Sequence, residues 1–333
     1  ALARLPSHAP HRLEVADAGQ SGVRKRGRVH RHHAHHDHRP EHVNQQRAAE
    51  RQENAERHGD RVTIGPGHRA GQNVRLAGED VRAGAAALRK DIVLAPAHLG
   101  LLASVGVKQV TVRRRPAVAF FSTGDELRNP GESLAAGQIY DSNRFTIYGM
   151  LDRLGVDTLD MGIIPDDRET IRQAFSKAAR QADAVITSGG VSVGEADFVT
   201  ETLRDMGTVG FWKVAIKPGR PIAFGKIEDK LFFGLPGNPV SALVSFQMLV
   251  RPALLAMMGA KDPAGLVVPV RLRQAAGGAP ERLTWTRAAV RMEGGVLVAE
   301  PLAGQGSHML SGLALADALI EVPAGDVTAR AGE

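Results

Sequence analysis

Apolar and polar positions follow a regular order only from about Val62 onward. Before that residue, apolar side chains are sparse and have neither the period of a helix nor that of a strand, which predicts a disordered segment. From Val62 on, short apolar runs typical of strands alternate with amphipathic stretches of helical period. The pattern predicts strands at 107–112, 117–122, 156–164, 184–187, 211–216, 222–224 and 231–234, and helices at 142–154, 169–181, 198–206 and 240–258, with a strand-to-helix connection at 91–103.

This alternation predicts an α/β fold with a three-layer α/β/α domain, because strands that alternate with helices form a mostly parallel sheet covered on both faces. The helical pattern ends after Gly259. Short apolar runs separated by Gly, Pro and Glu follow at 267–272, 284–291, 295–299 and 318–322. They predict a small C-terminal β domain.

Composition excludes several classes of protein. The 333 residues contain no Cys, which excludes a disulfide scaffold, a cysteine nucleophile and a thiolate metal site. No apolar run comes near the about 18 uncharged residues of a membrane span, and no secretory signal is evident. We therefore expect a cytoplasmic protein that does not contact a membrane.

The basic charge belongs mainly to the N-terminal segment. Residues 1–61 carry 12 Lys and Arg against 8 Asp and Glu, which is four of the six net positive charges. The folded part is nearly neutral, so we expect no nucleic-acid partner. Seven histidines lie in His30–His42. Such a tract can bind Zn or Ni, although the sequence favours a solvated tail without this function.

Acidic residues follow three of the predicted strands. They are Asp125 and Glu126, Asp166 and Asp167, and Glu195 and Asp197. Ligands of α/β sheets bind at the carboxyl ends of the strands, where these acids would meet. Taken singly, Asp167 or Glu195 could instead cap the helix that follows.

A glycine-rich turn, SGGVSVG at 188–194, lies between the third strand and its helix. Glycines let backbone N–H groups approach a phosphate, and the next helix begins with its positive end. Carboxylates beside a phosphate would repel it unless a hard cation lies between them. The acids and the turn together therefore predict Mg²⁺.

Two further segments carry candidate binding groups. Lys213, Lys217 and Arg220 lie in a loop that Pro218 and Pro221 stiffen, which suits a phosphate or a small oxyanion. A solvated charged loop is the alternative. The segment GLPGNPVS at 234–241 has a fixed backbone directly before a helix, and we expect it to form another anion- or amide-binding corner.

Seven motifs appear in order and carry a family resemblance. They are STGDEL at 122–127, QIYDSNR at 138–144, GIIPDD at 162–167, SGGVSVGEAD at 188–197, AIKPGRP at 215–221, GLPGNPVS at 234–241 and QGSH at 305–308. With them, residues 52–333 resemble the molybdopterin molybdenumtransferases, called MoeA in bacteria and the E domain of gephyrin in animals.

The resemblance implies an enzyme of molybdenum cofactor biosynthesis. Adenylylated molybdopterin receives molybdate, and AMP leaves with the assistance of Mg²⁺. The pterin sulfurs hold the molybdenum, so the absence of Cys is no obstacle. The resemblance also implies a homodimer and, as further partners, the adenylyltransferase and molybdoenzyme chaperones.

Site residues carried over from the family fall into three groups. The catalytic and metal-binding acids are Glu126, Asp166 and Asp197. The pterin and phosphate side is formed by Ser188, Gly189, Gly190, Ser192, Gly194, Pro236, Asn238 and Pro239. The oxyanion set is Lys217, Arg220, Arg287 and Ser307, and Arg75 and Asp80 match family positions near the site. Arg220 stands where many relatives have Lys.

The first 51 residues depart from the family, since two N-terminal signatures of relatives are missing. Their Arg, His, Ala and Pro bias is typical of a GC-rich gene read out of frame, and we hypothesise a frameshifted translation. The chain also stops somewhat before relatives finish their last strand. The predicted regions are a disordered or mistranslated segment at 1–61, a remnant of an N-terminal or linker domain at 62–113, the molybdopterin-binding α/β domain at 114–262 and the C-terminal β domain at 263–333.

Two other functions stay open. An adenylyltransferase-like enzyme would share the strand-end acids and the glycine turn. A non-catalytic pterin-binding or scaffold protein is compatible with the missing signatures.

Overall fold

The computed structural model describes residues 2–4, 55–67, 69–72, 74–190, 198–261, 263–325, 328–329 and 331–332. These residues belong to two compact units. The larger contains 2–4, Asp91–Ala95 and the chain from Arg113 onward, and the smaller contains the described residues between 55 and 90 together with Pro96–Val112.

The strands, in chain order, are β1 (Leu2–Arg4), β2 (Ala55–His58), β3 (Arg61–Ile64), β4 (Ala117–Thr123), β5 (Leu127–Arg128), β6 (Ile139–Tyr140), β7 (Asp157–Ile164), β8 (Ala184–Ser188), β9 (Gly207–Lys213), β10 (Ile216–Lys217), β11 (Pro221–Ile227), β12 (Lys230–Leu235), β13 (Val267–Pro269), β14 (Arg271–Leu272), β15 (Ala276–Gly277), β16 (Leu283–Glu293), β17 (Val296–Pro301), β18 (Ala318–Val322) and β19 (Thr328–Ala329). The helices are α1 (Pro96–Ser104), α2 (Ser142–Leu154), α3 (Arg168–Gln181), α4 (Phe198–Met206), α5 (Pro239–Ser245), α6 (Arg251–Met257) and α7 (Ser311–Ala314). A π-helical segment, Phe246–Val250, joins α5 to α6.

A six-stranded sheet in the order β7-β4-β8-β12-β11-β9 forms the centre of the larger unit. Its first four strands are parallel, and β11 and β9 add an antiparallel edge. On one face, α2 and the α5–α6 helix contribute Leu151, Phe246 and Leu254 to a core beneath the sheet. On the other face, α3 and α4 contribute Phe175 and Leu203. The predicted three-layer α/β/α domain is confirmed.

Caps explain why two helices follow their sequence pattern closely. In α2, the side chain of Asp141 accepts the backbone N–H of Arg144, and Gly155 ends the helix in the left-handed conformation at φ 67°. In α3, Asp167 accepts the N–H of Thr170 at 2.8 Å. Hydrogen bonds from Thr170 hold the pKa of Asp167 below its usual range. The alternative reading of Asp167 as a helix cap is therefore confirmed.

The C-terminal β domain is a sheet in the order β13-β1-β18-β16-β17-β14, as the sequence predicts in outline. Strand β10 of the preceding domain pairs in parallel with β16, so Lys217 lies opposite Thr284. Alternating positions of β16 and β18, including Ala288 and Ile320, fill a separate apolar core.

Three predicted strands need correction. The segment 107–112 has no regular secondary structure, and Val107, Val110 and Val112 are exposed, because no described strand forms a ladder with it. The strand predicted at 211–216 is β9, shifted towards the N-terminus because it pairs with the whole of β11. The strand predicted at 267–272 is divided between β13 and β14.

The smaller unit contains an antiparallel hairpin of β2 and β3 as well as α1. The predicted disorder at 1–61 is therefore wrong for residues 55–61. The missed signal is the Gly59-Asp60 turn between the two strands, where Gly59 has φ 61°. The rest of that prediction, with the histidine tract, lies outside the described residues apart from β1.

The helix Pro239–Met257 has 19 residues and a mean hydropathy of 1.6, which is long and apolar enough to cross a membrane by length and composition. Arg251 interrupts this stretch, so the helix does not contain a run of about 18 uncharged apolar residues. Half of its most apolar stretch is buried in the protein. This burial against the sheet is typical of a core helix.

Asp183 stabilises the start of β8. Its carboxylate accepts the N–H of Ala117 at 2.8 Å and an Nη2–H of Arg114 at 2.6 Å. The hydrogen bond from Arg114, followed by that from Ala117, holds the pKa of Asp183 below its usual range. The stabilisation is therefore present above the carboxyl's ordinary pKa and is lost as the pH falls through the lowered pKa.

We expect Asp183→Asn to lower the free energy of unfolding by about 1 kcal/mol at pH 7, a modest value because Arg114 is exposed. The difference should shrink as the pH falls below the ordinary pKa of Asp towards the lowered one, and urea denaturation at pH 7 and pH 3 measures it. Asp229→Asn, at an exposed carboxylate next to Lys230, is the control and should change stability by less than about 0.5 kcal/mol. Equal stability of Asp183→Asn and wild type at pH 7 would contradict the prediction.

Candidate functional site

The carboxyl ends of the four parallel strands lie side by side. Thr123 at the end of β4 pairs with Ile164 at the end of β7. Ser188 at the end of β8 pairs with Ser122 on one side and with Leu235 of β12 on the other. The segments that follow these strands therefore meet at one edge of the sheet, as predicted.

Three carboxylates, the acid cluster of Asp125, Glu126 and Asp166, come together at this edge. The N–H of Asp166 donates to Oδ1 of Asp125 at 3.3 Å. Partial burial, and then the charges of Asp125 and Glu126, raise the pKa of Asp166. No group of three His, Cys, Asp or Glu within the described part of the chain is arranged to hold a metal ion by itself. Asp197 and Glu195 lie outside the described residues.

Gly124 shapes the acid cluster. Its φ is +147°, and a Cβ there would lie 2.5 Å from Oε2 of Glu126. The Glu126 carboxylate thus folds over Gly124, and the positive φ, which L side chains rarely adopt, favours glycine there. The backbone is fixed as well, since the carbonyl of Glu126 accepts the N–H of Ile139 at 2.8 Å.

Arg144 holds the segment after the acid cluster. Its guanidinium donates to Asp160 at 2.7 Å, to Asn129 at 2.6 Å and to Asp141 at 3.3 Å. Sequence reasoning did not single out Arg144 or its neighbour Asn143. Their presence in the QIYDSNR motif was the available signal.

The glycine turn, Ser188–Gly190, packs tightly against Thr123 at the end of β4. Gly189 and Gly190 have φ of +90° and +64°, and a Cβ on Gly190 would lie 2.8 Å from Oγ1 of Thr123. The N–H of Gly189 donates to the carbonyl of Leu235 at 3.2 Å, so this donor is already used. The predicted binding residues Ser192 and Gly194 lie outside the described residues.

The loop Lys217–Arg220 presents two exposed cations. Neither Lys217 nor Arg220 forms an ion pair with any carboxylate that the structure describes. Gly219 between them is buried, and a Cβ there would lie 2.5 Å from Oγ of Ser245. The loop is therefore held against α5, and its positive charge is not neutralised.

The proline corner, Leu235–Val240, connects β12 to α5. Pro239 occupies the first turn of α5, and the side chain of Asn238 makes no capping hydrogen bond. The N–H of Val240 donates to the carbonyl of Ser307 at 3.0 Å. The structure therefore brings Pro236, Asn238 and Pro239 next to the Ser307 loop.

Arg287 has partners that differ from the predicted ones. Its side chain is 1% exposed, although the sequence predicts a direct oxyanion contact. The guanidinium donates to the carbonyls of Met309 at 2.7 Å, Gly304 at 2.8 Å and Gly306 at 3.2 Å, and Nε donates to Gln305 at 3.2 Å. Burial lowers the pKa of Arg287. Because these donors bind the loop around Ser307, Arg287 anchors that loop, and its predicted place in the oxyanion set stays a prediction.

Arg75 and Asp80 belong to the smaller unit. Arg75 forms an ion pair with Glu79, four residues along the chain, at 2.9 Å. Asp80 is exposed. Their predicted part in the site stays a prediction.

Together, the sheet edge and its acids, glycines and cations define an α/β protein with a candidate anion-binding site at the carboxyl ends of its strands. Family models match three parts of the chain: the MoeA N-terminal region (domain I and II) at 39–106, a probable molybdopterin binding domain at 119–256, and the MoeA C-terminal region (domain IV) at 269–333. The match to the MoeA N-terminal region begins at residue 39, within the first 51 residues, which the sequence motifs did not relate to the family.

Named relatives agree with these models. A molybdopterin molybdenumtransferase of Haemophilus influenzae is 44% identical over 266 residues, which cover 78% of this chain and 65% of that protein. Molybdopterin molybdenumtransferase 2 of Mycobacterium tuberculosis is 34% identical and covers 82% and 68%. The molybdopterin biosynthesis MoeA protein of Pyrococcus horikoshii superposes with a TM-score of 0.66 at 32% identity, over 84% of this chain and 68% of that structure.

The chain therefore belongs to the MoeA family of molybdenum cofactor biosynthesis proteins. It spans about two thirds of the length of these relatives.

Proposed function

We propose that the protein is a molybdopterin molybdenumtransferase, which inserts molybdate into adenylylated molybdopterin and releases AMP with Mg²⁺. The observation that carries the proposal is the acid cluster beside the glycine turn at one sheet edge. A pyrophosphate and a hard cation need this pair of features. The relative that is 44% identical bears the same enzyme name, which supports the proposal.

The donor set suits Mg²⁺. This ion prefers oxygen ligands, and proteins commonly bind it through one or two carboxylates together with substrate phosphates. Glu126 and Asp166 would hold it, with Asp197 as the third expected ligand. Partial burial, and then the charges of Asp125 and Glu126, raise the pKa of Asp166, and a bound cation would offset this destabilisation of the carboxylate. When bound, the ion would neutralise charge on the pyrophosphate.

The cations of the Lys217–Arg220 loop would attract molybdate. Both side chains are exposed, and no carboxylate in the described chain competes for them. The guanidinium of Arg220 can form two parallel hydrogen bonds to an oxyanion, which Lys cannot. Ser307, held next to the proline corner, would add a hydroxyl donor on the side of the C-terminal domain.

We also propose a cytoplasmic homodimer that receives its substrate from the adenylyltransferase and delivers its product to molybdoenzyme chaperones. The motif resemblance supports these partners.

The test is to incubate the purified chain with adenylylated molybdopterin and molybdate, with and without MgCl₂. We expect AMP release, measured by chromatography, that requires both molybdate and Mg²⁺ and stops when EDTA is added. ATP consumption with unadenylylated molybdopterin would favour the adenylyltransferase instead. Binding of the pterin without AMP release at any Mg²⁺ concentration would support a scaffold role and overturn the proposal.

A further inference from the structure

Asn143 has a buried side chain in the first turn of α2, with 8% of its surface exposed. Its Nδ2 donates to the carbonyl of Gly237 at 2.7 Å and to Oγ of Ser188 at 2.8 Å. A carbonyl oxygen can only accept, so the amide nitrogen must face Gly237. The orientation of the carboxamide is therefore fixed.

These two hydrogen bonds connect segments that are far apart in the chain. Asn143 is separated from Ser188 by 45 residues and from Gly237 by 94. Asn143 thereby fixes the distance between the glycine turn and the proline corner. The bond from Gly189 N–H to the Leu235 carbonyl is the second link between them.

The bond to Asn143 also decides what the Ser188 hydroxyl can do. Its oxygen accepts from Nδ2, so its hydrogen remains to be donated elsewhere. The structure describes no acceptor for this hydrogen in the chain. Ser188 directly precedes the two glycines of the turn, where its hydroxyl can donate to an anion.

Two unpaired polar atoms belong to the same face of the sheet as Ser188. Oγ of Ser122, which pairs with Ser188 on the neighbouring strand, and Oδ1 of Asn143 itself are buried and have no hydrogen-bond partner among the described residues. Buried polar groups are nearly always paired in proteins, and unpaired ones point to a ligand, a water molecule or a functional role. Ser122 and Asn143 therefore supply unpaired polar groups on the face of Ser188, which a polar ligand could satisfy.

We propose that Asn143 is a positioning residue for the phosphate end of the pterin substrate. It fixes the Ser188 hydroxyl as a donor and holds the glycine turn against the proline corner. This inference rests on the proposed function, because that function supplies the ligand. Since Asn143 contacts the acid cluster through no described hydrogen bond, its loss should weaken binding and spare the chemical step.

The test uses the full chain with Asn143→Leu, which keeps the size of the side chain and removes its donors. We expect the Kd for adenylylated molybdopterin to rise about tenfold to hundredfold, since each buried hydrogen bond contributes about tenfold. The kcat at saturating substrate should change less than about threefold. Asn143→Ser, too short to reach either partner, serves as the second variant if the leucine variant does not fold. Gln173→Glu on the exposed side of α3 is the control.

A double-mutant cycle with Ser188→Ala separates positioning from a general loss of stability. If Asn143 acts partly through Ser188, the two effects on Kd should be clearly less than multiplicative. Fully multiplicative effects, or a Kd of the folded Asn143 variant within twofold of wild type, would overturn the inference. If the wild type binds the pterin but releases no AMP, the proposed function fails while the Kd comparison still decides the role of Asn143. If the wild type does not bind, both fail.

Discussion

Asp166→Asn should lower the rate of AMP release by about 100-fold or more, because the carboxylate would no longer hold the cation that neutralises the pyrophosphate. Glu126→Gln should have an effect of the same order. Both substitutions keep the shape of the side chain and remove its charge. The rate is measured by chromatography of AMP at saturating MgCl₂. Asp152→Asn, at an exposed position of α2, is the matched control and should leave the rate unchanged.

Asp166→Asn should also be more stable than the wild type when Mg²⁺ is absent. Partial burial and the charges of Asp125 and Glu126 raise the pKa of Asp166 in the folded protein. A carboxyl with a raised pKa disfavours the folded state once it is ionised. The free energy of unfolding therefore falls as the pH rises from the ordinary pKa of Asp through the raised one. Because Asn does not ionise, the free energy of unfolding of Asp166→Asn should not show this fall with rising pH.

Urea denaturation at two pH values measures whether Asp166→Asn is more or less stable than the wild type. At pH 7 without divalent cations, Asp166→Asn should unfold at a higher urea concentration than wild type, and at pH 3 the two should coincide. Addition of MgCl₂ should stabilise the wild type more than the variant. A variant with normal AMP release, or with lower stability at pH 7, would contradict the proposed role of the acid cluster.

Arg287→Ala should lower the free energy of unfolding by about 3–5 kcal/mol, because the carbonyls of Gly304, Gly306 and Met309 would lose a buried, charged donor. Arg287→Lys should cost less but remain clearly destabilising, since an ammonium cannot reproduce the planar fork. Both values are obtained from urea denaturation. Arg271→Lys, at an exposed position of β14, should change stability by less than about 0.5 kcal/mol.

AMP release should also fall in Arg287→Lys, because the loop that presents Ser307 to the proline corner would lose its anchor. A lysine variant as stable as wild type but with weakened molybdate binding would instead restore the direct oxyanion role that the sequence predicts. The two outcomes are distinguishable because stability and the molybdate dependence of AMP release are measured independently.

Local signals made much of the α/β domain predictable. Helix α2 has a capping Asp141 before it and Gly155 after it, so its bounds follow from the sequence. The prediction of a strand at 107–112 was wrong. An apolar, β-branched run forms a strand only beside a partner strand, and the sequence does not reveal whether a partner exists. Strand β9 was shifted for the same reason, since its register is fixed by β11.

The candidate site was predictable where its groups follow strand ends. Asp125, Glu126 and Asp166 converge because the carboxyl ends of parallel strands share one edge. The roles of Arg287 and Asn143 were not predictable, because their partners include backbone carbonyls far along the chain. Every residue has a backbone carbonyl, so the residue type of the acceptor does not indicate which side chain will bind it.

The pairing of β10 with β16 has a consequence for dissection of this protein. Lys217 belongs to a strand whose only described neighbour in a sheet is supplied by the C-terminal domain, and Ser307 returns from that domain to bond Val240. In a fragment that ends near residue 262, the backbone of β10 would lose its hydrogen bonds to β16. The N–H of Val240, in the first turn of α5, would lose its acceptor, the carbonyl of Ser307. We therefore expect that neither the Lys217–Arg220 loop nor the Ser307 loop keeps its conformation in a fragment that lacks the other.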